Sequence, residues 1–420
     1  MTITWNTKLV AAAVAAAFTV AAQAQQEIKI GVIYPLTGSL ASSGAEMRDA
    51  LELAQDIINN GAKGIPDLPF AGGGALTGLK GAKIKLVFAD HQGNPQIGAT
   101  EAERLVTQEH VVALMGAYNS NVTQTASQVA ERYKIPFLAA ESSSPTLTQR
   151  GFKYFFRTTP HDELFVHNAF DFLKDLEAKK HVKVATVATL AENTLFGNEA
   201  AKLQLKFAAA QGYKVVQQVT YPAKTTQLTS EVQTLKAANP TVLLQSSYSE
   251  AILSMKTYKE LGYLPDMLLA NDAGFSDTEF IKTLGKDAEY VISRDVWALD
   301  LAQKKPLIKQ VDDLFKSRYK IDFTGNSARS FTGLMVLADA INRAGGTDPE
   351  AIRKALAATD IPGSKLIMPW KGVKFDEAGQ NTEGAGILVQ VLDGKYTTVW
   401  PFELAAREVV WPMPKWDARK

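Results

Sequence analysis

The sequence predicts an α/β protein built on two parallel sheets. Three observations lead there: short β-branched runs alternate with amphipathic stretches of helical length, the spacing of the runs occurs twice, and further helices follow the second set. From residue 28, "IKIGVIYPL", "KIKLVFAD", "VVALMGA" and "IPFLAAES" have strand length. After the first run, Met47, Leu51, Ala54 and Ile58 share one face of a helix over 44–58, with Glu46, Arg48, Glu52 and Asp56 mainly elsewhere. Alternation of this kind builds βαβ units whose sheets are covered by helices on both faces. The second set is "VKVATVATL", "YKVVQQVTYP", "PTVLLQSS" and "DMLLAND". Ile84 to Val111 and Val215 to Val242 both span 27 residues, and Val111 to Pro136 and Val242 to Met267 both span 25. Two similar sheets follow from that agreement.

The first interval of the first set is longer by 23 residues, close to the 21-residue Gly/Pro-rich segment at 61–81, which reads as a mobile surface insertion. Beyond 293, "SARSFTGLMVLADAINRAG" is helical, and "DPEAIRKALAAT" follows with Asp348 as N-cap and Pro349 at N1. Asp393-Gly394 then marks a two-residue hairpin turn. A chain that builds one lobe, crosses to a second and returns with late elements has several crossovers, and these form a hinge.

The 420 residues carry 45 Lys+Arg against 44 Asp+Glu, and without a long basic run nothing points to a nucleic-acid partner. Zero cysteines exclude disulfides, thiolate metal sites, thiol nucleophiles and a lipid on an N-terminal cysteine. Lys8, the apolar "LVAAAVAAAFTVAA" and Ala22-Gln23-Ala24 read as a cleavable signal peptide over 1–24, which leaves a neutral exported chain.

Catalytic and metal constellations fail one after another. His91, His110, His161, His167 and His181 include no H-E-x-x-H pair, and no G-x-S-x-G occurs. "GGGALTGLKG" misses the P-loop, because Lys80 is one position late and Gly81 stands where Ser or Thr is needed. No catalytic residue, metal or cofactor is therefore assigned. What remains is a set of polar residues at the carboxyl ends of predicted strands, where open α/β sheets bind ligands. These are Tyr118, Asn119 and Ser120, then Glu141, Ser142 and Ser143, and in the second set Tyr248 and Asp272. Glu141 and Asp272 both lie five residues past matched markers, so two facing lobes would place them in one cleft.

At these segments the sequence resembles a known family. "KIGVIYPLTGSLASSG", "ADHQGNP", "GAYNSNVTQTAS", "IPFLAAESSSPTLT", "KYFFRTTP" and "ANDAG" are similar to the periplasmic leucine/isoleucine/valine-binding proteins of ABC importers, over about residues 27–400. The resemblance implies a type I periplasmic-binding fold, two Rossmann-like lobes joined by three crossovers, with lobe 1 over 25–160 and 294–385 and lobe 2 over 161–293 and 386–420. It implies a periplasmic, monomeric receptor that closes on a small molecule and presents it to a membrane permease. Ser120 and Ser143 match the positions that hold a ligand carboxylate, Asp272 the acid that pairs with its ammonium, and Tyr248 a contacting tyrosine. Phe196 keeps an aromatic wall without the hydroxyl. Ser43 stands where some members place an aromatic, which leaves room for a larger side chain. Glu141 departs from the family pattern, since that position usually contributes backbone atoms; its carboxylate would repel an anion or add a second cation contact. Ser142 and Ser144 fit capping as well as ligand contact, Asn94-Pro95 a helix start, and Arg157 a fixed hinge strand.

The ligand expected is a branched-chain or other apolar amino acid, with short amides, urea and aromatic carboxylates as alternatives on the same scaffold. An acid without an amine would leave Asp272 buried and unpaired. Readings of other classes are a secreted hydrolase or lyase using Glu141 and Asp272, and an exported sensor domain.

Overall fold

β1 (Glu27–Tyr34) is the strand about which the first sheet is built. The computed structural model describes residues 27–419, so the expected signal peptide lies outside the described residues. α1 (Ala41–Asn60) and β2 (Lys83–Asp90) follow β1, then α2 (Pro95–Thr107), β3 (Ala113–Gly116), α3 (Ser120–Tyr133), β4 (Phe137–Ala139) and β5 (Phe155–Arg157). All five strands pair in parallel in the order β2-β1-β3-β4-β5. Asn94 caps α2 by accepting from the N–H groups of Gln96 and Ile97, with Pro95 at the first helical position.

The second unit comprises α4 (Asp162–Lys180), β6 (Thr186–Glu192), α5 (Leu195–Ala210), β7 (Lys214–Tyr221), α6 (Thr229–Ala238), β8 (Val242–Ser246), α7 (Glu250–Glu260), β9 (Met267–Ala270), α8 (Thr278–Leu284) and β10 (Ile292–Asp295). Its parallel strands run β7-β6-β8-β9-β10, the same order as the first sheet, which is what the repeated spacing requires. The chain then adds α9 (Pro306–Tyr319), α10 (Gly325–Ala344), α11 (Pro349–Ala357) and the ribbon of β11 (Asp360–Pro362) and β12 (Gly372–Lys374). β13 (Ile387–Leu392) and β14 (Lys395–Trp400) finally extend the second sheet, joined by a turn in which Asp393 and Gly394 both have positive φ.

The chain therefore passes between the sheets three times: after β5, after β10 and before β13. Arg157, fully buried at the first crossing, donates through Nε to Gln380 Oε1 at 2.7 Å and through Nη1 to the carbonyl of Ser144 at 2.6 Å. Asn381 Nδ2 donates to the Thr158 carbonyl at 3.0 Å, so two crossing segments are bonded side by side. Among the described residues no helix is long and apolar enough to cross a membrane.

The 61–81 segment corrects the expectation of a mobile loop. Ile65, Leu68, Leu76 and Leu79 are buried in the same core as α1 and α10. Gly78 sits so close to α10 that a Cβ there would lie 2.1 Å from the Asn342 carbonyl oxygen, and its N–H donates to Asn342 Oδ1 at 2.8 Å. Its apolar residues are spaced irregularly among glycines, so periodicity does not reveal them.

Candidate functional site

The carboxyl ends of the two sheets enclose a cavity of about 20 Å³. That is room for one water, so an amino acid enters only when the lobes part. Lobe 1 contributes Tyr118, Ser120, Glu141 and Ser143, from the turns after β3 and β4; Phe196, Tyr248 and Asp272 come from the turns after β6, β8 and β9. Most of the expected ligand residues are thus brought together. Each sits in a strand-to-helix turn because a parallel strand must hand the chain back at that end.

The aromatic wall is continuous. Tyr248 packs at 5.5 Å between ring centroids from Tyr118 and at 5.1 Å from Phe196, and its hydroxyl accepts from the Ser120 N–H at 3.4 Å across the lobes. Ser120 opens α3, whose first N–H groups form an anion-binding end. Ser143 Oγ donates to Asp162 Oδ2 at 3.1 Å and accepts from Arg294 Nη2 at 3.2 Å.

Asp272 differs from expectation. Its Oδ2 already accepts from Arg294 Nη1 and Arg329 Nη1, both at 2.7 Å, so it is paired without any amine; its buried Oδ1 has no partner. Burial works against its ionisation, but Arg329 and Arg294 outweigh burial and hold its pKa below the usual carboxylate value. Glu141 Oε1 accepts from Tyr34 Oη at 2.8 Å and Ser330 Oγ at 2.6 Å, while its Oε2 is buried without a partner. Burial pushes Glu141 up to about 7 against the pull of Ser330, Tyr34 and Arg329.

Three expected ligand residues turn elsewhere. Ser43 Oγ donates across the lobes to Asp277 Oδ2 at 2.5 Å. Ser142 Oγ is spent on the Tyr118 carbonyl at 2.9 Å and on Thr123 Oγ1 at 2.5 Å. Asn119 lines an adjacent crevice with Glu192 and Tyr248. Ser144 Oγ is bonded to Glu199.

Sequence reasoning missed Arg294, on β10, and Arg329, on α10, which lie 22 and 57 residues from Asp272. One signal was available for Arg329. The stretch that follows it, Leu334 to Ala338, is wholly apolar, and a cation in a helix buried all round must find a counter-charge.

The comparisons with known proteins agree with this geometry. A family model described as periplasmic binding protein matches residues 27–395. The chain is 32% identical over 413 residues to the Leu/Ile/Val-binding protein homolog 7 of Brucella suis, covering 96% of this chain and 99% of that one. A leucine-binding protein from Thermotoga maritima superposes with a TM-score of 0.74 at 21% identity, covering 88% of this chain and 97% of that one. An ABC-transporter solute-binding protein from Rhodopseudomonas palustris, in complex with 3,4-dihydroxybenzoic acid, gives a TM-score of 0.71 at 19% identity over 88% of this chain and 95% of that one. At such identities the two structures establish the type I periplasmic-binding fold of this chain.

Proposed function

We propose that this chain, which belongs to the periplasmic binding protein family, is the periplasmic receptor of an ABC importer and captures a small amino acid by closing two lobes upon it. The lobes comprise 25–160 with 294–385 and 161–293 with 386–420, and the precursor is exported by the 1–24 signal peptide. One observation carries the ligand class: the residues lining one cavity include Arg294 and Arg329 together with Asp272 and Glu141, each of which has one unpartnered carboxylate oxygen. A zwitterion satisfies both signs, whereas a carboxylate alone would face two unpaired acceptor oxygens. The ligand carboxylate meets Ser120 and the backbone of Ser143, whose hydroxyl proton is held by Asp162, at the α3 end of the cavity, and the amine meets Asp272 Oδ1. Branched-chain amino acids fit the aromatic and apolar wall of Tyr118, Phe196 and Tyr248.

A hydrolytic role for Glu141 and Asp272 would consume the bound ligand, which a receptor returns unchanged. The test is a thermal-shift panel of branched-chain amino acids, short amides, urea and benzoates on stripped protein. At ligand a hundredfold above Kd, stabilisation of about 2.7 kcal/mol is expected for the amino acids. A response confined to the benzoates, or ligand consumed on prolonged incubation, rejects the reading.

A further inference from the structure

Among the residues lining the cavity, four buried polar atoms have no partner: the donors Tyr118 Oη and Arg329 Nε, and two acceptors from opposite lobes, Glu141 Oε2 and Asp272 Oδ1. Both residues are at least nine-tenths buried, with 4% and 2% of their surfaces exposed. Neither can turn away to water. Glu141 is fixed by Tyr34 Oη on β1 and Ser330 Oγ on α10, and Asp272 by Arg294 and Arg329. A buried acceptor left empty costs the closed form its full desolvation, so whatever occupies the cavity must supply donors to both sides. An ammonium offers three N–H donors from one atom.

We propose that Glu141 is a ligand-contacting, specificity-determining residue: the ligand's ammonium is clamped between Glu141 Oε2 of lobe 1 and Asp272 Oδ1 of lobe 2. This rests on the amino-acid reading above and extends it from one acid to a pair that spans the closing cleft. The amine then does more than identify the ligand. It joins the lobes, and a ligand without it leaves two acceptors buried in the closed state.

The test compares matched pairs that differ only at the amine: L-leucine against 2-hydroxy-4-methylpentanoate, and L-phenylalanine against 3-phenyllactate. Titration calorimetry is run at pH 8, where the Glu141 carboxylate is ionised. The wild type is expected to prefer the amine, and Glu141→Gln, which keeps the side-chain shape, is expected to shrink that preference on the order of tenfold or more. A preference unchanged in Glu141→Gln overturns the inference while leaving the amino-acid receptor intact. Failure of every member of both pairs to bind wild type overturns the receptor reading and this one together. A second measurement needs no variant: at pH 7, calorimetry in buffers of different ionisation enthalpy should detect more proton release with the amine than with the hydroxy acid. Equal release for both overturns the clamp. The groups facing Glu141 in that titration are Tyr34 on β1, Arg329 and Ser330 on α10, and Asp272 and Arg294 across the cavity.

Discussion

Arg329 on α10 and Asp272 beyond β9 form a 2.7 Å ion pair that joins the two lobes through the floor of the cavity. Arg294 on the crossing strand β10 shares the same carboxylate oxygen at 2.7 Å and reaches Asp162 Oδ1 at 3.3 Å. Closure is thus supported by groups of the protein itself, and the ligand adds to an existing network of four buried charges. In this arrangement Asp272 Oδ2 holds both guanidiniums and leaves Oδ1 unpartnered.

Removing Asp272 takes the ion pair from Arg329 and leaves Arg294 with Asp162 alone. Asp272→Ala is expected to destabilise the protein by about 3–5 kcal/mol in urea denaturation, because breaking a buried pair leaves uncompensated charge. Adding Arg329→Met should recover part of that loss. A stability equal to wild type in Asp272→Ala would mean that the acid acts on ligand alone.

Stability is expected to fall as pH rises from 6.5 to 8. Burial, and then the Asp277 carboxylate across the lobes, pushes Glu46 up to about 8, with Thr278 and Thr324 donating to it. Burial and Glu250 raise Glu192 to about 8. Unfolded glutamates ionise near 4.5, so in this window the folded protein holds protons that the unfolded chain has released. Such stability is present at low pH and lost as pH climbs through the folded pKa. His91 and His161, lowered to about 4 chiefly by burial, are neutral in the folded protein but still partly protonated in the unfolded chain near pH 6.5, so they oppose the trend at the start of the window and fade as pH rises. Melting temperature should be lower at pH 8.5 than at 6.5, and Glu46→Gln should flatten the slope.

Arg157 carries the hinge. Its guanidinium bonds the carbonyls of Ser142 and Ser144 and the Gln380 side chain, tying the Ser143 turn to two crossing segments. Arg157→Met keeps the length but empties the Ser142 carbonyl and Gln380 Oε1, while the Ser144 carbonyl keeps only the Leu147 N–H, at a cost of about 3 kcal/mol or more. Arg157→Lys cannot rescue it, because one ammonium does not reproduce the fork. Denaturation curves check the loss, and ligand affinity should fall with it as Ser143 is released.

How much of this was legible follows from what each feature depends on. The two sheets were legible because β-branched runs and equal spacings are local properties of the chain, and Asn94-Pro95 and Asp348-Pro349 declare their helices within three residues. Ser120, Glu141, Tyr248 and Asp272 were legible because strand ends of a parallel sheet are binding positions whatever the ligand. The arginines were not, since Arg294 reads as part of a buried strand and Arg329 as a polar point in a helix; their role exists only once the lobes meet. Ser43 shows the converse: its position was matched to a ligand contact, yet Asp277, 234 residues away, takes its hydroxyl.

The 61–81 segment makes the last case. Glycine-rich composition led to a mobile loop, whereas Leu76 and Leu79 are buried and Gly78 touches the end of α10. A Cβ at 78 meets backbone, the Asn342 carbonyl at 2.1 Å, rather than a side chain that can swing aside. Gly78→Ala must therefore push the segment off α10, which costs roughly 1–3 kcal/mol as an overpacked contact does. Gly72, where an added Cβ meets nothing within 4 Å, is the control, and Gly72→Ala should be close to neutral. If the segment were a free loop the two variants would melt alike; if it is packed, only Gly78→Ala melts early and exposes 61–81 to limited proteolysis.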